Sequence, residues 1–201
     1  MRYTHALLAV VSILLTTLAL GGDFQKGRYA YDSGDYETAL AEWQPLADAG
    51  DANGQFGLGQ MYGNGFGVDM DDDLAIKWYG LAAEQGHAQA QCNLAVMYQN
   101  GWGLPQSDAE AVKLYTLSAE QGVVEAMLAL GRHYAMDFSD DYDPVRAYKW
   151  YGLASLLGDL SAGVDREDVA KHMTVEQVTE ANGLIEIWSN NNAEILLLAK
   201  Q

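Results

Sequence analysis

Trp78-Tyr79-Gly80-Leu81-Ala82 returns further along the chain as Trp150-Tyr151-Gly152-Leu153-Ala154. Between them, Glu84-Gln85-Gly86 returns as Glu120-Gln121-Gly122. The same spacing recurs at Gly50, Gly86, Gly122 and Gly158, a period of 36 residues. A fixed period of this length predicts stacked helical pairs, each unit covering the apolar face of the next. Such arrays present surfaces to partners more readily than they enclose catalytic pockets.

Three ungapped units follow from that period: 51–86, 87–122 and 123–158. In the first half of each unit Leu58, Leu94 and Leu130 are equivalent, as are Tyr62, Tyr98 and Tyr134. Each leucine and tyrosine stand i, i+4 on one helix face, with Gly54, Ala90 or Ala126 one turn earlier. A second position is kept small by Gly59, Ala95 and Gly131, which predicts close approach of another helix there. Two units then carry a Gly-x-Gly loop, Gly65-Phe66-Gly67 and Gly101-Trp102-Gly103. These loops lack the lysine and preceding strand of a phosphate-binding loop, so their glycines are read as chain reversals. Asp71, Ser107 and Asp143 are predicted N-caps of the second helix, and Ser107 with Glu110 is a candidate capping box. Asp143-Pro144 places proline at the first helical position. The second-helix stripe is Ala75, Trp78, Tyr79 and Ala82, repeated as Ala147, Trp150, Tyr151 and Ala154. The periodic glycine is expected to end that helix as a left-handed cap.

The pattern Leu58-Gly59, Tyr62, Gly65-Phe66-Gly67-Val68, Ala75, Trp78-Tyr79, Ala82-Ala83, Gly86 resembles the Sel-1-like repeat family, a relative of the tetratricopeptide repeats. The third unit keeps both helices but replaces the glycine loop with residues 137–143. The resemblance implies an all-α fold, a right-handed α-α superhelix (solenoid) of stacked helix-turn-helix repeats. Residues 23–50 look like a shortened leading unit, so the repeat region is taken as 23–162. Residues 159–201 are expected to form C-terminal capping helices and a tail. Within them, Asp165 to His172 reads as a helix or helical turn. Thr174-Val175-Glu176-Gln177 reads as a capping box opening a helix to about Trp188, ended by Asn190-Asn191-Asn192. The three consecutive leucines that follow are expected to dock.

Residues 1–22 have the layout of a secretory signal peptide: Arg2 and His5, an apolar run from Ala6 to Leu20, then small residues. The expected location is periplasmic or secreted, the alternative being an uncleaved anchor in the inner membrane. No membrane insertion of the mature chain is expected. The net charge of −17 disfavours phosphate backbones and anionic lipid surfaces, which excludes nucleic acid as an expected partner. A single cysteine, Cys92, forbids an intrachain disulfide and reads as a small buried hydrophobe.

No catalytic constellation, metal site or cofactor motif emerges. The histidines are dispersed, and no nucleophile elbow is present. Asp69, Asp71 and Asp73 mimic the start of a calcium loop, but Leu74 and Gly80 stand where its glycine and bidentate glutamate should be. The aspartates of 137–143 read chiefly as a solvated acidic loop, with calcium as a lesser reading. What the resemblance implies is a non-enzymatic protein- or peptide-binding scaffold of the bacterial cell envelope. The alternative is an envelope enzyme or accessory subunit acting on peptidoglycan or polysaccharide. The expected contact residues lie on first helices, off the Leu/Tyr face: Gln55, Gln91 and Met127 at one aligned position, Gln60 and Arg132 at another, with Gln99 and Asn100 near a helix end.

Overall fold

The computed structural model describes residues 22–136 and 140–199, so the signal-peptide reading lies outside the described residues. All regular structure among them is helical. In chain order the helices are α1 (Phe24–Asp32), α2 (Tyr36–Asp48), α3 (Ala52–Asn64), α4 (Asp72–Glu84), α5 (Ala88–Asn100) and α6 (Asp108–Glu120). They continue as α7 (Val124–Ala135), α8 (Pro144–Leu156), α9 (Leu160–Ala170), α10 (Val175–Asn191) and α11 (Ala193–Leu198). Two compact units are present: one of residues up to 97 with 101–105, the other of 98–100 with 106 onward.

The periodic glycine does what its spacing predicts. Gly50, Gly86, Gly122 and Gly158 have φ of 89°, 86°, 92° and 103°. Each lies within a Schellman motif. At the end of α2, Gly50 N–H donates to Ala47 C=O at 3.0 Å and Asp51 N–H to Leu46 C=O at 2.9 Å. At the end of α4, Gly86 and His87 repeat this with Ala83 and Ala82 at 2.9 and 3.1 Å. Except at Val123, which makes no side-chain cap, the side chain after the glycine then caps the next helix. Asp51 accepts from Gly54 N–H at 2.8 Å, and Asp159 from Ala162 N–H at 2.9 Å. One two-residue link therefore ends one helix and starts another. An added Cβ at Gly86 would meet no atom within 4 Å, so its cost is conformational alone. Gly86→Ala should lower stability by about 1–2 kcal/mol, and Gly86→Asn by less, because asparagine visits the left-handed region more readily. Chemical denaturation of the three proteins checks this.

Packing within the first unit runs α1 on α2, α2 on α3 and α3 on α4. Trp43 of α2 is fully buried at its centre. The small residues mark close crossings: a Cβ on Gly59 would lie 2.5 Å from Tyr79 Cδ1. In the second unit, α6 packs on α7, α7 on α8, and α8 on both α9 and α10. There a Cβ on Gly131 would lie 2.7 Å from Tyr151 Cδ1, the same notch filled by the same aromatic position.

Two boundaries and one capping box differ from the sequence reading. Helix α9 begins at Leu160, five residues before Asp165, because Asp159 caps it in phase with Asp51. It is thus the first helix of a further repeat, with Arg166 where leucine is expected and its guanidinium 5.4 Å from the Tyr148 ring centre. Helix α10 continues to Asn191, past Trp188. Trp188 is buried, and its carbonyl accepts from Asn192 through both the backbone N–H (3.0 Å) and the side-chain amide (2.9 Å). The expected Ser107 box is half formed: Ser107 Oγ accepts from Glu110 N–H at 3.3 Å, with no return bond among the described contacts. The Thr174–Gln177 box is complete. In the tail, Ile195 lies where a Cβ on Gly122 would meet it at 2.8 Å, while Leu197 and Leu198 stay exposed.

Candidate partner-binding surface

The aligned trio Gln55, Gln91 and Met127 is buried within the chain's own fold. The glutamines are each 4% exposed and Met127 is 0% exposed. The two amides are used internally. Gln55 Nε2 donates to Ala47 C=O at 3.4 Å, and Gln91 Nε2 donates to Ala83 C=O at 3.2 Å. Both carbonyls belong to the last turn of the preceding helix, where intrahelical donors run out. Gln55 Oε1 also accepts from Gln85 Nε2 at 2.7 Å. The glutamine ladder is therefore a seam between successive helices, and the expectation of an exposed polar row is corrected at these three positions. The physical reason is that α3 is buried nearly all round: Gly54, Gln55, Phe56, Gly57, Leu58, Gly59 and Met61 are all buried.

The remaining expected residues reach solvent to different degrees. Gln60 is half-buried, and Gln99, Asn100 and Arg132 are exposed. Gln99 is already engaged through its side-chain oxygen, which accepts from Tyr115 Oη at 2.9 Å, and its carbonyl, which accepts from Gln106 Nε2 at 3.0 Å. In the acidic loop of the third repeat, Asp143 caps α8, and Asp141 lies 3.5 Å from His133. Residues 137–139 fall outside the described residues, and with them part of the calcium reading.

His87 is the one repeat-link cap that is an imidazole. Its Nδ1 accepts from Ala90 N–H at 3.2 Å, and its ring stacks on Phe56 at 4.5 Å. Burial holds its pKa below the ordinary histidine value, with Asp51 opposing. A neutral ring is required for the cap to accept. The folded state therefore binds this proton less readily than the unfolded chain, and the stability is present above the ordinary histidine value near 6.5. It is lost as pH falls from there through the lower folded value. His87→Asp, copying Asp51, should reduce the loss of melting temperature between pH 7 and pH 5.

One feature escaped the sequence reading. A pocket of about 190 Å³ in the first unit is lined by Gly63, Asn64, Asp72, Tyr79, Asn93, Val96, Met97 and Trp102. Trp102, the central residue of the second Gly-x-Gly loop, is 53% exposed. Tyr79 is buried behind it, its hydroxyl bonded to Asn93, and burial holds its ionisation far above the usual tyrosine range. Among the described residues no cluster of three or more histidine, cysteine or acidic side chains could hold a metal ion, and no helix is long and apolar enough to cross a membrane.

The Sel1 repeat profile matches residues 52–87, 88–123 and 124–159. The chain belongs to the Sel1 repeat family. The solved Sel1 repeat protein from Oxalobacter formigenes is similar to this chain at 31% identity and a TM-score of 0.67, covering 72% of this chain and 59% of that one. A second structure, c5321, is described as a protective antigen present in uropathogenic Escherichia coli strains displaying an SLR fold. It is 24% identical with a TM-score of 0.52, covers 94% of this chain and 50% of its own, and speaks to fold alone. This Sel1 chain thus spans between half and three fifths of the length of the solved structures it matches. A search of the curated proteins gave no match.

Proposed function

We propose that this protein is a non-enzymatic scaffold of the bacterial cell envelope that binds a protein or peptide through its repeat surface. Sel1 repeats generally mediate protein interactions, and the observation that carries the reading is three consecutive repeats over 52–159. The chemistry of the seam supports it. The buried polar side chains Gln55, Gln91 and Ser118 lie on the repeat helices, and the two glutamine amides cap helix ends. Loops and solvent-facing positions carry the residues that vary between units, which is where a quasi-linear array holds its specificity. The envelope location rests on the N-terminal sequence pattern, and N-terminal sequencing of the protein from its host tests it: an intact Met1 on a soluble cytoplasmic form refutes export.

The binding reading is tested by placing a photo-crosslinking residue at Gln60, Gln99 or Arg132 and, as controls, at the exposed second-helix positions Lys77 and Lys113. A discrete adduct from the first set, absent from the controls, is the expected result. Hydrolysis of peptidoglycan by the purified protein, abolished by changing one acidic residue, would overturn the scaffold reading.

A further inference from the structure

The two Gly-x-Gly loops are built alike but end in different surroundings. In both, the second glycine lies against the first residue of the preceding second helix. A Cβ on Gly67 would sit 2.5 Å from Tyr36 Cβ, and one on Gly103 would sit 2.8 Å from Asp72 Cβ. Tyr36 opens α2 and Asp72 opens α4, one period apart. The loop aromatics, Phe66 and Trp102, are therefore presented to equivalent positions.

In the first case the partner is aromatic. Phe66 stacks on Tyr36 with ring centres 4.9 Å apart and planes within 14°, and Tyr31 closes the group at 5.9 Å from Phe66. In the second case the partner is a carboxylate. Trp102 has no ring or cation against it among the described residues, and Asp72 has no ion-pair partner there. Both line the pocket, together with the amide-bearing side chains of Asn64 and Asn93. The aromatic stack of one repeat is thus a half-filled slot in the next, with a π-face and a negative charge on its walls.

That pair of walls matches a cation carried on a flat or extended apolar stem. Tryptophan is the strongest cation–π acceptor among side chains, and a guanidinium can stack on a ring while its fork pairs with a carboxylate. The chain uses the same contact internally: Lys77 stands 4.3 Å from the centre of the Trp78 ring, and Lys149 stands 3.8 Å from that of Trp150. The surroundings reinforce the sign, since Asp69, Asp71 and Asp73 flank the pocket in sequence and the chain carries a net charge of −17.

We propose that the Trp102–Asp72 pocket receives a basic side chain, arginine in preference to lysine, from a peptide or protein segment. The proposal rests on the scaffold reading and names the chemistry of its partner.

The test is NMR titration of the full-length protein with the pentapeptide Ac-Gly-Gly-Arg-Gly-Gly-amide, following the Trp102 indole N–H. That resonance is assigned by its loss in Trp102→Leu. Saturable shifts are expected, weakened by added salt. Asp72→Asn is expected to reduce affinity about tenfold, the scale of one desolvated cation–π or charge contact. The neutral citrulline peptide should be correspondingly weak, and the lysine peptide intermediate. Asp72→Tyr recreates the Tyr36–Phe66 stack, so it should raise the melting temperature while abolishing the shifts. Because it gains stability, its loss of binding cannot be attributed to misfolding. Equal binding of the citrulline peptide, an unchanged affinity in Asp72→Asn, or saturable binding of neutral chitotetraose instead of the peptide would overturn the proposal. Partner adducts at Gln60, Gln99 or Arg132 that survive Asp72→Tyr unchanged would sink the pocket while leaving the scaffold standing. Loss of those adducts only in a variant that fills the pocket supports both.

Discussion

Replacing Trp43 with alanine is expected to destabilise the first unit by about 3–5 kcal/mol, the range for a large aromatic removed from a core that cannot collapse around the gap. Trp43 is 0% exposed and is held from several sides. Its Nε1 donates to Phe24 C=O at 3.2 Å. Phe24 stacks on it at 6.0 Å and Tyr31 lies against it at 5.4 Å. Glycines stand on opposite helices beside the ring: a Cβ on Gly27 of α1 would be 2.4 Å from Nε1, and one on Gly57 of α3 would be 2.5 Å from Cδ2. The indole thus occupies space that two other helices leave empty for it. Removing it leaves a cavity between α1 and α3 and takes the indole hydrogen bond from the Phe24 carbonyl, the first carbonyl of α1. Gly57→Ala should be destabilising on its own, since Gly27 prevents the ring from moving away. Combined with Trp43→Ala it should be neutral or favourable, because the methyl then enters the vacated space. Urea unfolding of the four members of this cycle measures the coupling. Additive effects would show that the ring and the glycine do not meet.

How much of this was legible in the sequence depends on how local each cause is. The left-handed glycines and their helix ends were legible because φ and the capping bonds are set within six residues. Gly59 and Gly131 were legible as close crossings, since a glycine repeated inside a helix needs a packing reason. The burial of Gln55 and Gln91 was not legible. An amide on a helix reads as solvent-facing until its partner is known, and that partner is a last-turn carbonyl of the preceding helix, eight residues back in each case, which also accepts from the periodic glycine. The start of α9 was missed for a related reason: Arg166 replaces the marker leucine, while the decisive signal was Asp159, in phase with Asp51. The Trp102 pocket required two comparisons at once. The loop aromatic is retained between repeats, while its facing residue changes from Tyr36 to Asp72 and the ring that Tyr31 supplies has no counterpart. Each substitution looks unremarkable alone, and their conjunction becomes visible once the loop is placed on the helix.

Deleting residues 159–201 should cause the larger collapse, in the second unit. Helix α8 packs against both α9 and α10. Its residues Tyr148, Trp150, Tyr151, Leu153 and Ala154 are all 8% exposed or less. Gly152 shows how tight the cover is: a Cβ there would lie 2.5 Å from Ile185 Cδ1 of α10 and 3.5 Å from Arg166 Cδ of α9. Removing the cover returns part of this face to water. With fully buried large side chains worth about 1.5–3 kcal/mol each, exposing two of them costs several kcal/mol. Removing α11 also lifts Ile195 from Gly122, at the link between α6 and α7. A repeat array needs a terminal element that faces water, and α10 exposes Glu176, Glu180 and Glu186 there, beside the apolar Val175 and Ile187. The truncated protein should therefore bind a hydrophobic dye and elute as aggregates in gel filtration. Gly152→Leu isolates the interface without shortening the chain, by wedging α8 from α10. It should lower stability in the same direction while retaining the capping helices. A truncation that stays monomeric and dye-silent would show that 159–201 is not the seal of the second unit, and a tolerated Gly152→Leu would place the sealing contact elsewhere on α8.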